Sequence, residues 1–117
     1  MKQVHFMGDS RTVLRGFPPE VKDGIGYALY EAQRGEKAYY AKPLKGFHGA
    51  GVLEVMEDYD GSTYRAVYTI RFANSVYVLH TFQKKSHKGI ATPKKDIGII
   101  KARLKMAEED FKKEKML

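Results

Sequence analysis

The sequence predicts a single small α+β domain over residues 1–117, and three observations support this fold class. Helical stripes of apolar residues lie before and after a run of strand-forming segments instead of alternating with them, which is typical of α+β proteins. Short turns join those strand-forming segments, so we expect an antiparallel meander. A chain of 117 residues is long enough to bury one hydrophobic core without disulfides.

The N-terminal third predicts one strand and two helices. Residues Gln3–Met7 form the strand, and Asp9 or Ser10 can cap a short helix over Arg11–Arg15, because their side-chain oxygens accept from the free N–H groups of a first turn. Prolines at the first positions favour a second helix, and a glycine after its apolar stripe ends it. The residues concerned are Pro18, Pro19, Val21, Ile25, Ala28, Leu29, Ala32 and Gly35.

A glycine-rich loop over residues 36–51 precedes the predicted meander. Its strands are Val52–Tyr59, Thr63–Phe72 and Ser75–Phe82, with Asp60-Gly61 as a tight turn between the first two. Thr92-Pro93 then opens a basic C-terminal helix with one apolar stripe at three- and four-residue spacing. Tyr39, Tyr40 and Phe47 in the loop can stack on RNA bases, but the core is the favoured place for them.

The net charge of +7 is concentrated at the C-terminal end. Residues 1–83 carry 10 Lys/Arg against 9 Asp/Glu, whereas residues 84–117 carry 11 against 5. A basic segment after a nearly neutral body indicates an anionic partner, with nucleic acid ahead of a membrane surface. A solvated lysine-rich helix with no partner is an equally good reading of the charge alone.

Composition excludes several classes of site. The chain has no cysteine and four scattered histidines without metal-ligand spacing, so we expect neither a metal site nor a cofactor. No segment approaches the roughly 20 apolar residues that span a bilayer, and the start of the chain does not resemble a signal peptide. We therefore expect a protein of the cytoplasm with no membrane partner.

One strand carries a charge where apolar residues are the rule. Arg65 lies inside Tyr64–Arg71, and the next strand runs into Lys84, Lys85, His87 and Lys88. A buried arginine needs a partner or ligand, because an unpaired buried charge is costly. An RNA phosphate and a cross-strand Glu54 or Glu57 are the two candidates.

Five segments in this order and spacing resemble the RelE/ParE toxin superfamily, in particular its HigB-like, phage-related branch. They are residues 41–46, 51–55, 64–68 and 79–85, and Thr92-Pro93 leading into a helix with Ala102 and Arg103. The resemblance implies a RelE-like fold and a toxin of a type II toxin–antitoxin pair, usually a ribosome-dependent mRNA endoribonuclease. It also implies a helix-turn-helix DNA-binding antitoxin as partner.

The resemblance assigns roles to residues of this chain. Arg65 matches the family's phosphate-holding arginine, and Lys84 and Lys85 match its basic pair after the last central strand. A tyrosine that RelE offers in this region is missing here, so we take His87 as the proton-transfer group. We expect Arg71, Lys88, Lys94, Lys95 and His48 to bind RNA.

A second departure from the family pattern, besides the missing tyrosine, keeps other functions open. RelE carries lysines on the strand that here holds Glu54, Glu57 and Asp58, so its catalytic set does not transfer whole. Alternatives are a ParE-like toxin that inhibits DNA gyrase without cutting RNA, and an inactive prophage-derived module that binds its antitoxin and operator DNA.

Overall fold

The computed structural model describes residues 1–49, 51–85 and 91–116 of the chain. Its elements, in order, are β1 Gln3–Phe6, α1 Ser10–Arg15, α2 Pro19–Gln33, β2 Lys42–Pro43, β3 Val52–Tyr59, β4 Ser62–Thr69, β5 Ser75–Lys84 and α3 Lys94–Met116. The strands form one sheet in the order β1-β5-β4-β3-β2. The predicted α+β class is confirmed, with a larger sheet than expected.

The central meander follows from its turn chemistry. Asp60 and Gly61 both have positive φ, 47° and 82°, which is the backbone of a two-residue hairpin turn. The turn sets Tyr59 opposite Ser62 and fixes the register of β3 and β4. β5 pairs with β4 in the antiparallel direction, as expected.

Two additional strands flank the meander. β1 pairs in parallel with β5, and the two-residue β2 pairs with β3. We expected β2 to be loop because a lone Lys42-Pro43 pair carries no alternating pattern, and its proline suits only a sheet edge. The sheet is therefore mixed, with β5 between a parallel and an antiparallel neighbour.

Helices cover both faces of the sheet. α2 packs its apolar stripe against one face, where the core includes Ile25, Leu29, Val55 and Val78. α3 packs against the opposite face through Ile100 and Ala107. Within the part of the chain that the structure describes, no helix is long and apolar enough to span a bilayer.

The starts of α1 and α3 differ from the sequence prediction. No side chain caps α1, because the Asp9 carboxylate accepts a hydrogen bond from Arg103 instead. α3 begins at Lys94, and the carbonyl of Pro93 accepts its first backbone bond from Ile97. Thr92, the expected cap, donates its hydroxyl to Glu54 on the sheet.

Candidate functional site

Arg65 lies on the α3 face of β4 and its side chain is fully buried. Its Nη1 is 3.6 Å from the Glu54 Oε2 on neighbouring β3 and 3.5 Å from the Thr92 hydroxyl, to which it donates. Thr92 in turn donates to the same Glu54 oxygen at 3.0 Å. One corner of the guanidinium is therefore held by a carboxylate and a hydroxyl.

Sheet register explains this pair. Glu54 lies opposite Val67 and Arg65 lies opposite Met56, so the two charged residues are diagonal neighbours on one face. Burial raises the pKa of the Glu54 carboxyl above its ordinary value, although Thr92 and Arg65 act in the opposite direction. Glu54 was the alternative partner for Arg65 in the sequence, and the structure makes this contact.

The other edge of the Arg65 guanidinium has no partner among the described residues. Its Nε and Nη2 are buried and form no hydrogen bond within the described part of the chain. These two nitrogens form the side-on edge of the fork, which matches two oxygens of a phosphate or carboxylate. A buried donor without an acceptor costs about 1–3 kcal/mol, so an anion at this edge would satisfy groups that the fold leaves unsatisfied.

The expected lysines of the described residues lie at the end of β5 and at the start of α3. Lys84 pairs with Thr63 at the end of β5, two residues past Phe82, whose ring lies 5.9 Å from the Arg65 guanidinium carbon. By strand alternation Lys84 shares the face of Arg65, whereas Lys85 lies just past the end of β5 and is exposed. Lys94 and Lys95 are exposed in the first turn of α3, while His87 and Lys88 lie outside the described residues.

Arg71 and His48 lie at the other end of the sheet. Arg71 lies two residues past the end of β4 and six positions beyond Arg65, which is about 20 Å along an extended chain. It forms an ion pair with Glu108 of α3 at 2.9 Å. His48 is exposed in the loop before β3. Neither residue joins the group around Arg65.

His80 belongs to a network that the sequence did not reveal. A register shift in β5 leaves Leu79 without a partner on β4, and both Leu79 and His80 then contact the α3 side. The His80 Nε2 lies 2.7 Å from Asp96, and its Nδ1 lies 3.3 Å from Arg103. Because a guanidinium only donates, Nδ1 accepts and the Nε2 hydrogen points to Asp96.

Arg103 fixes the middle of α3 to the sheet. It also donates to the Leu79 carbonyl at 3.0 Å and to Asp9 at 3.0 Å. The His80 ring stacks on Phe82 at 4.9 Å, so this anchor lies next to the Arg65 group. Ala102 and Arg103 were part of the resemblance in the sequence. The contacts of Arg103 depend on the bulge in β5, which the sequence does not predict.

One further group contains metal-ligand side chains. The donor atoms of His5, Asp110 and Glu114 lie within 4.8 Å of one another. Asp110 accepts a hydrogen bond from Tyr77 at 2.9 Å, and His5 contacts Ser75. His5 and Asp110 are therefore held by contacts within the fold.

The comparisons place the chain in a family. A model of the family described as "Phage derived protein Gp49-like (DUF891)" matches residues 12–105, a span that contains the whole Arg65 group together with His80, Asp96 and Arg103. No curated protein gives a significant match, and no solved structure does. The chain therefore belongs to the Gp49-like phage-derived family, a toxin-like family of the RelE/HigB type in toxin–antitoxin systems.

Proposed function

We propose that this chain is the toxin of a type II toxin–antitoxin system and an endoribonuclease that cuts mRNA on the ribosome. Family membership supports the toxin role. The observation that carries the chemistry is the Nε/Nη2 edge of Arg65, which has no hydrogen-bond partner in the described ranges and has the shape and charge to hold a phosphodiester.

The proposed reaction needs no outside reactant. The ribose 2′-oxygen attacks the adjacent phosphorus, the bond from phosphorus to the 5′-oxygen breaks, and a 2′,3′-cyclic phosphate and a 5′-hydroxyl form. One proton leaves the 2′-hydroxyl and one reaches the 5′-oxygen. Arg65 stabilises the charge that builds on the phosphoryl oxygens, an effect of about 3–4 kcal/mol for one well-placed donor.

Other residues complete the proposed site. Lys84 shares the face of Arg65 and neutralises developing charge, and Lys85, Lys88, Lys94 and Lys95 supply further phosphate affinity. His87 assists proton transfer, and its location lies outside the described residues. Glu54 is a positioning residue, since it holds Nη1 and leaves the opposite edge of Arg65 for the substrate.

Phosphate binding requires the Arg65 group to open. The side chain is fully buried in this conformation, and the Thr92 hydroxyl joins Arg65 to Glu54 from the segment just before α3. We propose that RNA binding on the ribosome opens these contacts and that mRNA then reaches the Nε/Nη2 edge. The mRNA partner and the ribosome place the activity in the cytoplasm.

A helix-turn-helix antitoxin is the proposed protein partner, as the toxin–antitoxin context implies. Arg71 and His48 remain proposed RNA-binding residues, but they contact RNA at the opposite end of the sheet from Arg65. They would therefore extend the RNA-binding surface and take no part in the reaction.

Mapping the 5′ ends of cellular transcripts after expression tests the proposal. The parent chain should arrest growth and produce new 5′ ends inside translated codons, and Arg65→Ala should produce neither. Arg34→Ala is the matched control, because Arg34 is an exposed cation just past the end of α2. Growth arrest with intact transcripts, or unchanged cleavage by Arg65→Ala, would contradict the proposal.

The burial of Arg65 favours two alternative candidates. A ParE-like toxin that inhibits DNA gyrase, or an inactive antitoxin-binding module, needs no open phosphate site, and in both the Glu54–Arg65 pair would be structural. A DNA-damage response with intact mRNA would identify the gyrase inhibitor. Antitoxin binding without toxicity would identify the inactive module.

A further inference from the structure

The face of the molecule formed by α2 and the end of β3 exposes several tyrosines. Tyr39 is 90% exposed and Tyr27 is 53% exposed, although the sequence favoured the core for Tyr39. Tyr40 lies beside them with its ring 5.1 Å from that of Tyr39. Tyrosine is enriched at protein interfaces and in their energetically dominant positions. The composition of this face is therefore typical of a protein-binding surface.

A hydrogen bond to α2 holds Tyr40 in place at the base of this surface. The Tyr40 hydroxyl donates to the Gly24 carbonyl at 2.6 Å. Gly24 lies inside α2, where glycine costs about 1 kcal/mol relative to alanine. A Cβ at this position would overlap the Glu57 carboxylate, so the missing side chain is what lets Glu57 lie against the helix beside Tyr40.

Glu57 has no cationic partner in the described part of the chain. Burial raises its pKa and the neighbouring Asp58 raises it further. Burial also raises the pKa of Tyr40, and Glu57, Tyr27, Tyr39 and Glu31 add to that effect. The carboxylates that act on Tyr40 are those of Glu57 and Glu31, on a chain whose net charge is +7.

An adjacent pair shows how a cation is held on such a surface. Arg34 lies 5.7 Å above the Tyr30 ring and 3.3 Å from Glu31, so its guanidinium meets an aromatic face and a carboxylate together. Tyr27, Tyr39, Tyr40 and Glu57 offer the same two kinds of group without a cation. A guanidinium over a tyrosine ring gains about 0.5–2 kcal/mol, and a carboxylate adds charge-assisted hydrogen bonds.

We propose that Tyr27, Tyr39, Tyr40 and Glu57 form a pocket for an arginine side chain of a partner protein. The pocket selects against RNA, because Glu57 and Glu31 repel phosphate. It uses a different face from the lysines of α3, so the partner and a polyanion can bind the chain together. The proposal does not depend on nuclease activity.

A titration followed by NMR of the tyrosine rings tests the pocket. Tri-arginine peptide is the probe, and tri-citrulline peptide is the matched control that keeps the shape and removes the charge. Tri-arginine should shift the Tyr27, Tyr39 and Tyr40 resonances in a saturable way, and tri-citrulline should not. Equal shifts with both peptides, or shifts of these rings with a single-stranded RNA oligonucleotide, would overturn the proposal.

Two variants make the result specific. Tyr39→Ala and Glu57→Gln should each weaken tri-arginine binding about tenfold, whereas Tyr30→Ala should leave it unchanged because Tyr30 already contacts Arg34. Tyr39 is 90% exposed, so its removal does not endanger folding and gives a clear answer. Unchanged affinity in Tyr39→Ala and Glu57→Gln would overturn the proposal. Neither substitution should alter transcript cleavage, which separates this test from that of the proposed function.

Discussion

Glu54 and Arg65 form an ion pair across neighbouring strands, and the pair holds only one corner of the guanidinium. Nη1 meets the carboxylate at 3.6 Å, while Nε and Nη2 remain buried without an acceptor among the described residues. A purely structural pair would be expected to use both edges of the fork, because unmade bonds of a buried charge are costly. The proposed phosphate site rests on this half-satisfied pair, because the open edge of Arg65 can accept a phosphate.

The ion pair should behave as a coupled unit in unfolding. Glu54→Leu removes both the acceptor and the counter-charge of a buried guanidinium and should lower the free energy of unfolding by about 3–5 kcal/mol, whereas Glu54→Leu combined with Arg65→Met should cost much less. Urea denaturation of the parent, Glu54→Leu, Arg65→Met and the double variant gives the coupling. Glu31→Gln, which breaks an exposed pair with Arg34, is the control and should cost at most about 1 kcal/mol. A Glu54→Leu cost no larger than the control would contradict the coupling.

Stability should also depend on the ionisation of Glu54. Its pKa is raised in the folded protein by burial, so between the unfolded value of about 4.3 and the raised value the folded state binds more protons. The stabilisation is complete below the unfolded pKa and is lost as pH rises through the folded pKa. The free energy of unfolding of the parent should therefore fall more steeply with rising pH in this window than that of Glu54→Gln. Parallel pH profiles would show that Glu54 does not titrate differently on folding.

Arg103 should control the attachment of α3. Arg103→Met removes donors to the Leu79 carbonyl, the His80 ring and Asp9, and the buried acceptors that remain should cost about 1–3 kcal/mol. Hydrogen exchange should accelerate first in α3 and less in β4. Lys101→Met, on the exposed side of the same helix, should leave exchange unchanged, and a uniform acceleration across the sheet would argue against a local anchor.

RNA affinity should depend on salt in proportion to the lysines involved. If about five phosphates of single-stranded RNA are engaged, log affinity falls with log salt at a slope near −3.5, and each lost contact flattens the slope by about 0.7. Lys94→Gln with Lys95→Gln should therefore give a slope near −2.1. Lys22→Gln with Lys37→Gln removes the same charge from the α2 side and should keep the parent slope, so an equal flattening in both double variants would indicate net charge alone.

The local signals in the sequence predicted most of the fold. Pro19 at the start of α2, Gly35 at φ +83° after it and Asp60-Gly61 each impose a backbone conformation by themselves, so these boundaries could be placed in advance. β2 and the parallel pairing of β1 depend on distant strands and left no pattern. Thr92 looked like a cap because threonine suits that position, but its hydroxyl is used by Glu54.

The site was predictable in its residue types and not in its contacts. Arg65 stood out as a charge in an apolar strand, and its pairing with Glu54 was one of the two alternatives. Alternation alone could not place His80 against Asp96, because the register shift at Leu79 changes which face the following residues contact. The Tyr39 exposure was also missed, since an aromatic residue near apolar strands is usually buried.

Cleavage of a defined mRNA on programmed ribosomes by the purified chain tests the central claim most directly. Arg65→Lys keeps the positive charge and removes the two-nitrogen edge, so the account predicts cleavage at least about 10²-fold slower than by the parent. Arg34→Lys should cut at the parent rate. Cleavage by Arg65→Lys as fast as by the parent, or no cleavage by the folded parent, would contradict the account.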